Sequence, residues 1–364
     1  MIGILDRIAR TVLRAFDPED AHSLAVRALK FAPRRHPGGG DSRLAVRAFG
    51  LNFPNPVGIA PGFDKRGEVP DALFGVGFGF VEIGTVTPLP QQGNPRPRVF
   101  RLEPDQAVIN RLGFNSDGLA VVLPRLVARA AAGGIVGVNV GANKESPDRT
   151  ADYVRLIEQV APVASYVTLN ISSPNTPGLR ELQRASAVDD LLARVVEVRD
   201  RIVPRGRPLP LLLKIAPDLS LPDLDDIVGV ARARKIDGMI VGNTTIGRPP
   251  ALRDQVTAKQ SGGLSGRPLY PLATRMLAET YVRAERAFPL IGVGGIDSGA
   301  AALGKIRAGA DLVQLYSALV YRGLGLVGEI KSELSAALDR GDAGKLSDLV
   351  GVDAAAITAE PRPA

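Results

Sequence analysis

The side chains of this chain that could do chemistry lie where short apolar runs end. Lys65 closes PVGIAPGFDK (56–65) and Lys214 falls inside PLLLKIAPD (210–218). Lysine at the mouth of an apolar interior is costly unless it meets an anion. Three readings stay open for each: a salt bridge to a neighbouring carboxylate, a Schiff-base amine as in aldolases, or contact with an anionic ligand. Asn110, Asn139, Asn170, Asn175 and Asn243 approach the same face, and neutral amides suit a planar polar substrate that both donates and accepts hydrogen bonds. Ile291–Gly299 reads IGVGGIDSG, a glycine-rich turn into a helix that suits a phosphate, and Tyr316-Ser317 after the next run completes such a cradle. Ser173 lies in NISSPNTPG, where proline and glycine mark a flap. The chain has no cysteine, and its two histidines, His22 and His36, precede the first run, so a hydroxyl is the candidate base. A serine base needs a proton relay, part of which Thr176 could supply, and an oxidant that draws electrons in step.

Eight runs must position these groups: 56–65, FVEIGTVT (80–87), GIVGVNVGANK (134–144), YVTLNISSPN (166–175), 210–218, GMIVGNTT (238–245), PLIGVGGIDS (289–298) and LVQLYSAL (312–319). Each begins aliphatic or β-branched and ends in Gly, Asn, Ser, Thr or Lys, the pattern of a parallel strand covered on both faces and meeting a ligand only at its carboxyl end. Helical stretches over 116–132, 187–203, 221–236 and 299–310 alternate with them. The spacing predicts a (β/α)8 TIM barrel over 41–340, with the phosphate site after strands seven and eight. Two long connections, 88–115 and 246–266, read as loops shaping substrate access, and the tail 341–364 reads as frayed.

Residues 1–40 differ from the rest. Ile2, Leu5, Ile8, Ala9, Val12, Leu13 and Phe16 recur at helical spacing between charges, which predicts an amphipathic helix over 2–16. Asp17 is a plausible N-cap with Pro18 in the first turn of a second amphipathic helix, from about Ala21 to Phe31, ended by Pro33 and the Pro37–Gly40 linker. Charges interrupt the apolar runs too often for a signal peptide or a membrane span. A hairpin packed on the barrel and a helix pair lying on an anionic bilayer both fit. The apolar share of 45% is that of a globular protein; the net charge of +7 is not gathered into a basic run, and 5% aromatics without Trp offer no stacking platform for nucleic acid. Missing cysteine and barrel histidine exclude disulfides, thiolate nucleophiles and zinc sites built from them.

Taken in order, APGFDK, EIGTVTP, GNPRPRVFRL, INRLGFN, NISSPNTPGLR, GNTT, GGLSGRPL, IGVGGI and QLYSALVYRG resemble the dihydroorotate dehydrogenase family over residues 1 to about 338. Ser173 in place of the soluble class's cysteine, the two-helix extension and its Asp17-Pro18-Glu19-Asp20-Ala21-His22 turn resemble the membrane-associated, quinone-linked class. The resemblance implies a flavoenzyme of pyrimidine (UMP) biosynthesis that oxidises dihydroorotate to orotate and passes electrons through FMN to a membrane quinone. Ser173 would be the catalytic base, taking the C5 proton as hydride leaves C6. Substrate would be held by Lys65, Asn110, Arg111, Leu112, Gly113, Phe114, Asn170, Asn175, Asn243 and Thr244. FMN would be held by Pro61, Gly62, Phe63, Asp64, Lys65, Thr85, Asn139, Asn170, Lys214, Gly242, Gly266, Gly295, Tyr316 and Ser317, with Lys214 near flavin N1. Quinone would enter between the two N-terminal helices near His22, Arg101 and Tyr316, on a peripheral protein at the cytoplasmic side of the inner membrane. Gly242, where the family often has threonine, and Pro61, which has no N–H to donate, depart from the pattern. Another FMN-dependent barrel oxidoreductase with a different acceptor or pyrimidine is the competing reading, and a barrel without redox chemistry is the more distant one.

Overall fold

The computed structural model describes residues 13–32, 40–176, 178–204, 209–341 and 343–363. The helix expected over 2–16 and the linker over 33–40 therefore lie mostly outside the described residues. Helix α1 (Pro18–Leu29) has the expected cap, the Asp17 side chain accepting from the Glu19 and Asp20 amides, with Pro18 in its first turn, and it ends two residues before Phe31. An antiparallel hairpin, β1 (Val46–Ala48) and β2 (Leu51–Phe53), follows and closes the lower end of the barrel, with Phe53 edge-on to Phe80 at 5.2 Å.

The chain then alternates strand and helix: β3 (Val57–Ile59), α2 (Pro70–Val76), β4 (Phe80–Val86), the hairpin β5 (Val99–Leu102) and β6 (Ala107–Asn110), α3 (Leu119–Arg129), β7 (Ile135–Val140), α4 (Arg149–Val160), β8 (Tyr166–Asn170), α5 (Ala185–Ile202), β9 (Leu211–Ile215) and α6 (Leu221–Ala233). It continues with β10 (Gly238–Val241), β11 (Gly263–Gly266), α7 (Tyr270–Ala284), β12 (Leu290–Val293), α8 (Gly299–Arg307), β13 (Leu312–Leu315), α9 (Ala318–Arg322), α10 (Leu326–Arg340) and α11 (Ala354–Ala359). Strands β3, β4, β7, β8, β9, β10, β12 and β13 pair in parallel in that order and close, so the structure is a (β/α)8 barrel whose strands are the eight apolar runs.

Glycine makes room for aromatics at two points of the barrel. Gly58 pairs with Phe80, and a Cβ on it would stand 2.3 Å from the Phe80 ring; Gly137 pairs with Tyr166, and a Cβ there would stand 2.1 Å from that ring. Both rings are fully buried, so the glycines let large side chains fill the interior without overpacking.

The two long connections are not only loops. Strands β5 and β6 from the first, and β11 from the second, form one antiparallel sheet in the order β11-β6-β5 over a small core of Leu102, Ala107, Ile109, Leu252, Ala258 and Leu264. The Asp105 carboxylate fastens them further by accepting from the Arg253 and Asp254 amides at 2.8 and 3.0 Å. This rim carries Asn110 and Gly266 to the top of the barrel.

The tail, expected to be frayed, is folded over residues 343–363. Leu346 and Ala354 are buried, and Asp353 takes a two-pronged pair from Arg307 at 2.6 and 2.7 Å. Arg275 of α7 donates to the carbonyls of Ile357, Thr358 and Glu360, and Arg362 reaches back to the Leu219 carbonyl at 2.7 Å. Composition alone missed this because the fastening arginines lie far away in sequence. Arg275→Ala leaves these carbonyls without their charged donor and is expected to cost about 2 kcal/mol, read as a lower urea midpoint. A midpoint equal to the parent's would mean that the tail adds nothing to stability.

Candidate functional site

A cavity of about 1360 Å³ opens at the carboxyl ends of the barrel strands and extends beneath α1. Pro61, Gly62, Phe63, Asp64, Lys65, Thr85, Asn110, Leu112, Gly113, Phe114, Asn170, Ser173, Asn175, Lys214, Asn243, Thr244, Gly266, Gly295, Tyr316 and Ser317 line it, together with His22 and Arg101. Arg111, Asn139 and Gly242 do not. Arg111 instead stacks on Phe100 at 4.5 Å and donates to Gln260, Ser261 and the Pro97 carbonyl. Gly242 has φ +122°, and a Cβ there would press on the Val293 carbonyl at 2.7 Å, which accounts for glycine in place of threonine.

Asn139 works from below. Its Nδ2 donates at 2.8 Å to Glu82, a carboxylate fully buried inside the barrel that also accepts from Tyr166 OH at 3.0 Å and Gln314 Nε2 at 2.6 Å. The Asn139 Oδ1 accepts from the Thr85 hydroxyl at 2.6 Å and from Asn170 Nδ2 at 3.1 Å. Asn170 Oδ1 takes the Ser172 hydroxyl at 3.0 Å, and Ser172 Oγ takes Asn243 Nδ2 at 2.7 Å. Four strand ends are thus joined by one chain of amides and hydroxyls.

Ser173 is buried, and its Oγ accepts from the Asn175 amide at 3.3 Å. Thr176 Oγ1, three residues on, is buried without a hydrogen-bond partner. Asn175 Nδ2 donates to the Asn110 carbonyl at 3.0 Å and to Asn110 Oδ1 at 3.2 Å, which ties the flap to the rim sheet.

Two lysines, Lys65 and Lys214, face the barrel end of the cavity. Burial pushes the Lys214 ammonium down, opposed by the charge of Glu82. For Lys65, burial chiefly, with repulsion from Arg98 and Arg66 against attraction by Glu19 and Asp117, brings the ammonium down to about 7. Lys65 donates to Asn115 Oδ1, and its turn is built by Asp64, whose carboxyl accepts from the Glu68 and Val69 amides.

Under α1 the wall becomes aromatic. His22 meets Phe63 edge-on at 5.3 Å and Tyr316 at 6.0 Å. Burial, then the Lys65 charge, pushes the His22 imidazole down to about 4, so the ring is neutral at pH 7. Arg101 donates to the carbonyls of Leu13, Arg14 and Phe16. Nearby, Glu19 of α1 grips the buried Arg98 guanidinium at 2.6 and 2.9 Å; burial raises its carboxyl, but the Arg98 hydrogen bonds and charge outweigh that and hold it below its usual value.

Sequence reasoning passed over Glu82, Ser172, Asn115 and Gln314. Gln314 lines the cavity with Oε1 buried and unpartnered, as is Thr244 Oγ1. The available signal was a polar residue inside a fully buried strand, in FVEIGTVT and LVQLYSAL. Among the described residues no His, Cys, Asp or Glu cluster is arranged for a metal, and no helix is long and apolar enough to cross a membrane.

Residues 43–338 match the family model described as dihydroorotate dehydrogenase. A protein of Bradyrhizobium diazoefficiens named dihydroorotate dehydrogenase (quinone) is 66% identical over 363 residues, 100% of both chains, and one of Rhodopseudomonas palustris (strain BisB5) with the same name is equally similar over the same span. Among solved structures, DHODH from Eimeria tenella in complex with ferulenol superposes with a TM-score of 0.88 at 38% identity, covering 93% of this chain and 96% of that one. Its ligand-free form gives 0.88 at 39% identity, over 93% and 99%. With a family match over most of its length and relatives this similar end to end, the chain belongs to the dihydroorotate dehydrogenase family.

Proposed function

We propose that the chain is a quinone-dependent dihydroorotate dehydrogenase that oxidises (S)-dihydroorotate to orotate in pyrimidine biosynthesis, with FMN as its flavin. The observation that supports this best is one cavity with two unlike ends. Ser173, Lys65 and the asparagines occupy the barrel end, while His22, Phe63 and Tyr316 form an aromatic wall beneath α1.

The residues present fit FMN. Lys214 offers a buried cation, and Gln314 Oε1 and Thr244 Oγ1 are buried polar atoms free to bond a ring edge. Gly295, at φ +75°, stands in the turn before α8, whose N-cap is Ser298. Pro61–Lys65, Thr85, Asn139, Asn170, Lys214, Gly242, Gly266, Gly295, Tyr316 and Ser317 are the residues that would hold it, Asn139 and Gly242 from behind the cavity wall. Bound FMN supplies a two-electron acceptor for the substrate's hydride and a donor for quinone. The chain's own groups do the rest. Lys65 pairs with the substrate carboxylate, Asn110, Asn175, Asn243 and Thr244 orient the ring amides, and the Gly113-Phe114 stretch covers the ring. Arg111 stands outside the cavity with its guanidinium and both backbone groups bonded within the protein, so it supports the segment that covers the ring and does not touch the substrate. Ser173 Oγ takes the C5 proton as it passes its own hydroxyl proton on to a relay of which Thr176 Oγ1 would be part.

Quinone is proposed to enter near His22, Arg101 and Tyr316. Residues 1–36 are proposed to dock the chain on the cytoplasmic face of the inner membrane, a reading supported by exposed Phe16, Leu24 and Phe31 on the described part of this segment.

Three outcomes are expected. Dihydroorotate under anaerobic conditions should bleach the flavin, and Ser173→Ala should retain the flavin yet slow bleaching by about a hundredfold or more; bleaching at the parent rate would remove Ser173 as base. For orotate affinity, the sign follows from Lys65. It is protonated below about 7 and attracts the carboxylate, and it is neutral above, so the Kd should rise from pH 7 upward by up to about tenfold per unit, with a proton taken up on binding. A flat profile would assign the carboxylate to another group. Finally, the full chain should float with phosphatidylglycerol vesicles, less so in high salt but still measurably, because apolar burial and charge both contribute. Failure to float at low salt would contradict the membrane reading.

A further inference from the structure

We infer that Arg180 and Asp218 form a positioning clamp that holds the proton-abstracting loop after β8 against the substrate-binding loop after β10. The inference rests on the function proposed above and concerns two residues that neither line the cavity nor figure among the expected ligands.

Arg180 sits in a short 3-10 helix, Leu179–Gln183, just past the flap that carries Ser173. Its guanidinium reaches three loops at once. Nε donates at 3.1 Å to the carbonyl of Ser172, the residue before the base. Nη2 donates at 3.3 Å to the carbonyl of Thr244, within the Asn243-Thr244 pair. Nη1 pairs at 2.9 Å with Asp218 Oδ2, in the loop after β9, the strand that bears Lys214. Asp218 completes the triangle: its Oδ1 accepts the Thr245 hydroxyl, and its Oδ2 accepts the Ile246 amide at 3.3 Å. A second tie runs alongside, since Gln183 of the same turn accepts the Ala216 amide at 3.0 Å.

The chemistry explains why arginine stands here. Only a planar fork with five donors can serve two carbonyls and a carboxylate in fixed directions; a lysine ammonium keeps the charge but not the directions. Each loop is anchored by its own strand, and the Asn243–Ser172 hydrogen bond at 2.7 Å joins the two side-chain to side-chain; the fork adds the backbone tie, fixing the Ser172 and Thr244 carbonyls against one another. A misplacement of about 1 Å between reacting groups can cost on the order of a hundredfold in rate. Arg180 and Asp218 touch no reacting atom; they act through Ser172, Thr244 and Thr245.

The test uses the flavin-loaded full chain in anaerobic rapid mixing, with the half-reactions followed separately. Arg180→Ala is expected to slow flavin reduction at saturating dihydroorotate by at least about tenfold, while reoxidation by quinone stays within about twofold of the parent. Arg180→Lys should recover little of the loss, and millimolar guanidinium should restore part of the rate in the alanine variant. Asp218→Asn should be slow as well, and the double variant no slower than the slower single one, because both changes break the same tie. Should Arg180→Ala fail to fold, Arg180→Lys and Asp218→Asn carry the same comparison. Parent-like reduction in Arg180→Lys, or reduction and reoxidation slowed in parallel, overturns the clamp. Failure of dihydroorotate to bleach the flavin of the unsubstituted chain would instead defeat the underlying function, so the two failures are distinguishable.

Discussion

A carboxylate with no exposed surface sits inside this barrel, and the top of the structure is arranged around its need for donors. Taking Glu82 out of water would cost several kcal/mol if it were left unbonded. Three neutral donors from three other strands answer it: Asn139 of β7, Tyr166 of β8 and Gln314 of β13. Because the carboxylate accepts and does not donate, it fixes which way each amide turns. Asn139 must point Nδ2 at Glu82, leaving Oδ1 for Thr85 and Asn170; Asn170 then points Nδ2 inward and presents Oδ1 to Ser172; Ser172 takes the Asn243 amide. The donor and acceptor pattern at the cavity floor is thus fixed before any ligand arrives, which is the preorganisation that a polar, planar substrate calls for. The same demand explains Gly137, since the Tyr166 ring reaches Glu82 only because no Cβ stands in its path.

What the sequence made legible follows from the range of the forces involved. The eight barrel strands could be read because each is buried on both faces and announces itself as a local apolar run with a polar end. The helix from Pro18 could be read because its cap, Asp17, is its neighbour. Strands β5, β6 and β11 could not, because these four-residue strands lie in proline- and arginine-rich segments and the sheet is completed only when β6 pairs with β11 from the other long connection, as Asn110 does with Gly263. The folded tail was hidden for the same reason, its fasteners being Arg275 and Arg307. Residue type pointed to the lysines, to Ser173 and to asparagines that line the cavity, Asn139 excepted, but not to the directions of their side chains. Arg111 looked like a ligand and turns its guanidinium to Gln260, whereas Glu82 and Gln314 looked like interruptions of strands and sit at the root of the polar network.

Electron transfer from dihydroorotate to a quinone, in the reading proposed above, needs two ends of a cavity that differ in character and yet stay in register. The Glu19–Arg98 pair supplies that register. Arg98 is buried, donates to the Gln92 and Asn94 carbonyls at 2.7 and 2.8 Å, and is gripped by Glu19 from α1. Asn94 in turn donates to the Arg111 carbonyl at 2.9 Å. Helix α1, which walls the aromatic end, is therefore bonded through two residues to the segment that lines the polar end. A buried charge pair of this kind adds little net stability but strongly penalises misplacement of either partner, which suits a joint whose task is geometric.

The absence of imidazole from the barrel sharpens the demand on geometry. Histidine can take a proton at neutral pH from a range of positions because its basicity is matched to the medium. A serine hydroxyl is a poor base, so its use requires that the proton acceptor beyond it, the substrate carbon and the electron acceptor be aligned together. Ser173 is held by its neighbours on both sides: Ser172 is tied to Asn170, Asn243 and Arg180, and Asn175 to Asn110. Little freedom is left to the residue between them. A weak base on a tightly tethered loop and a strong base on a loose one are two solutions to the same barrier, and the hydrogen bonds around Ser173 are those that the first requires of the base proposed above.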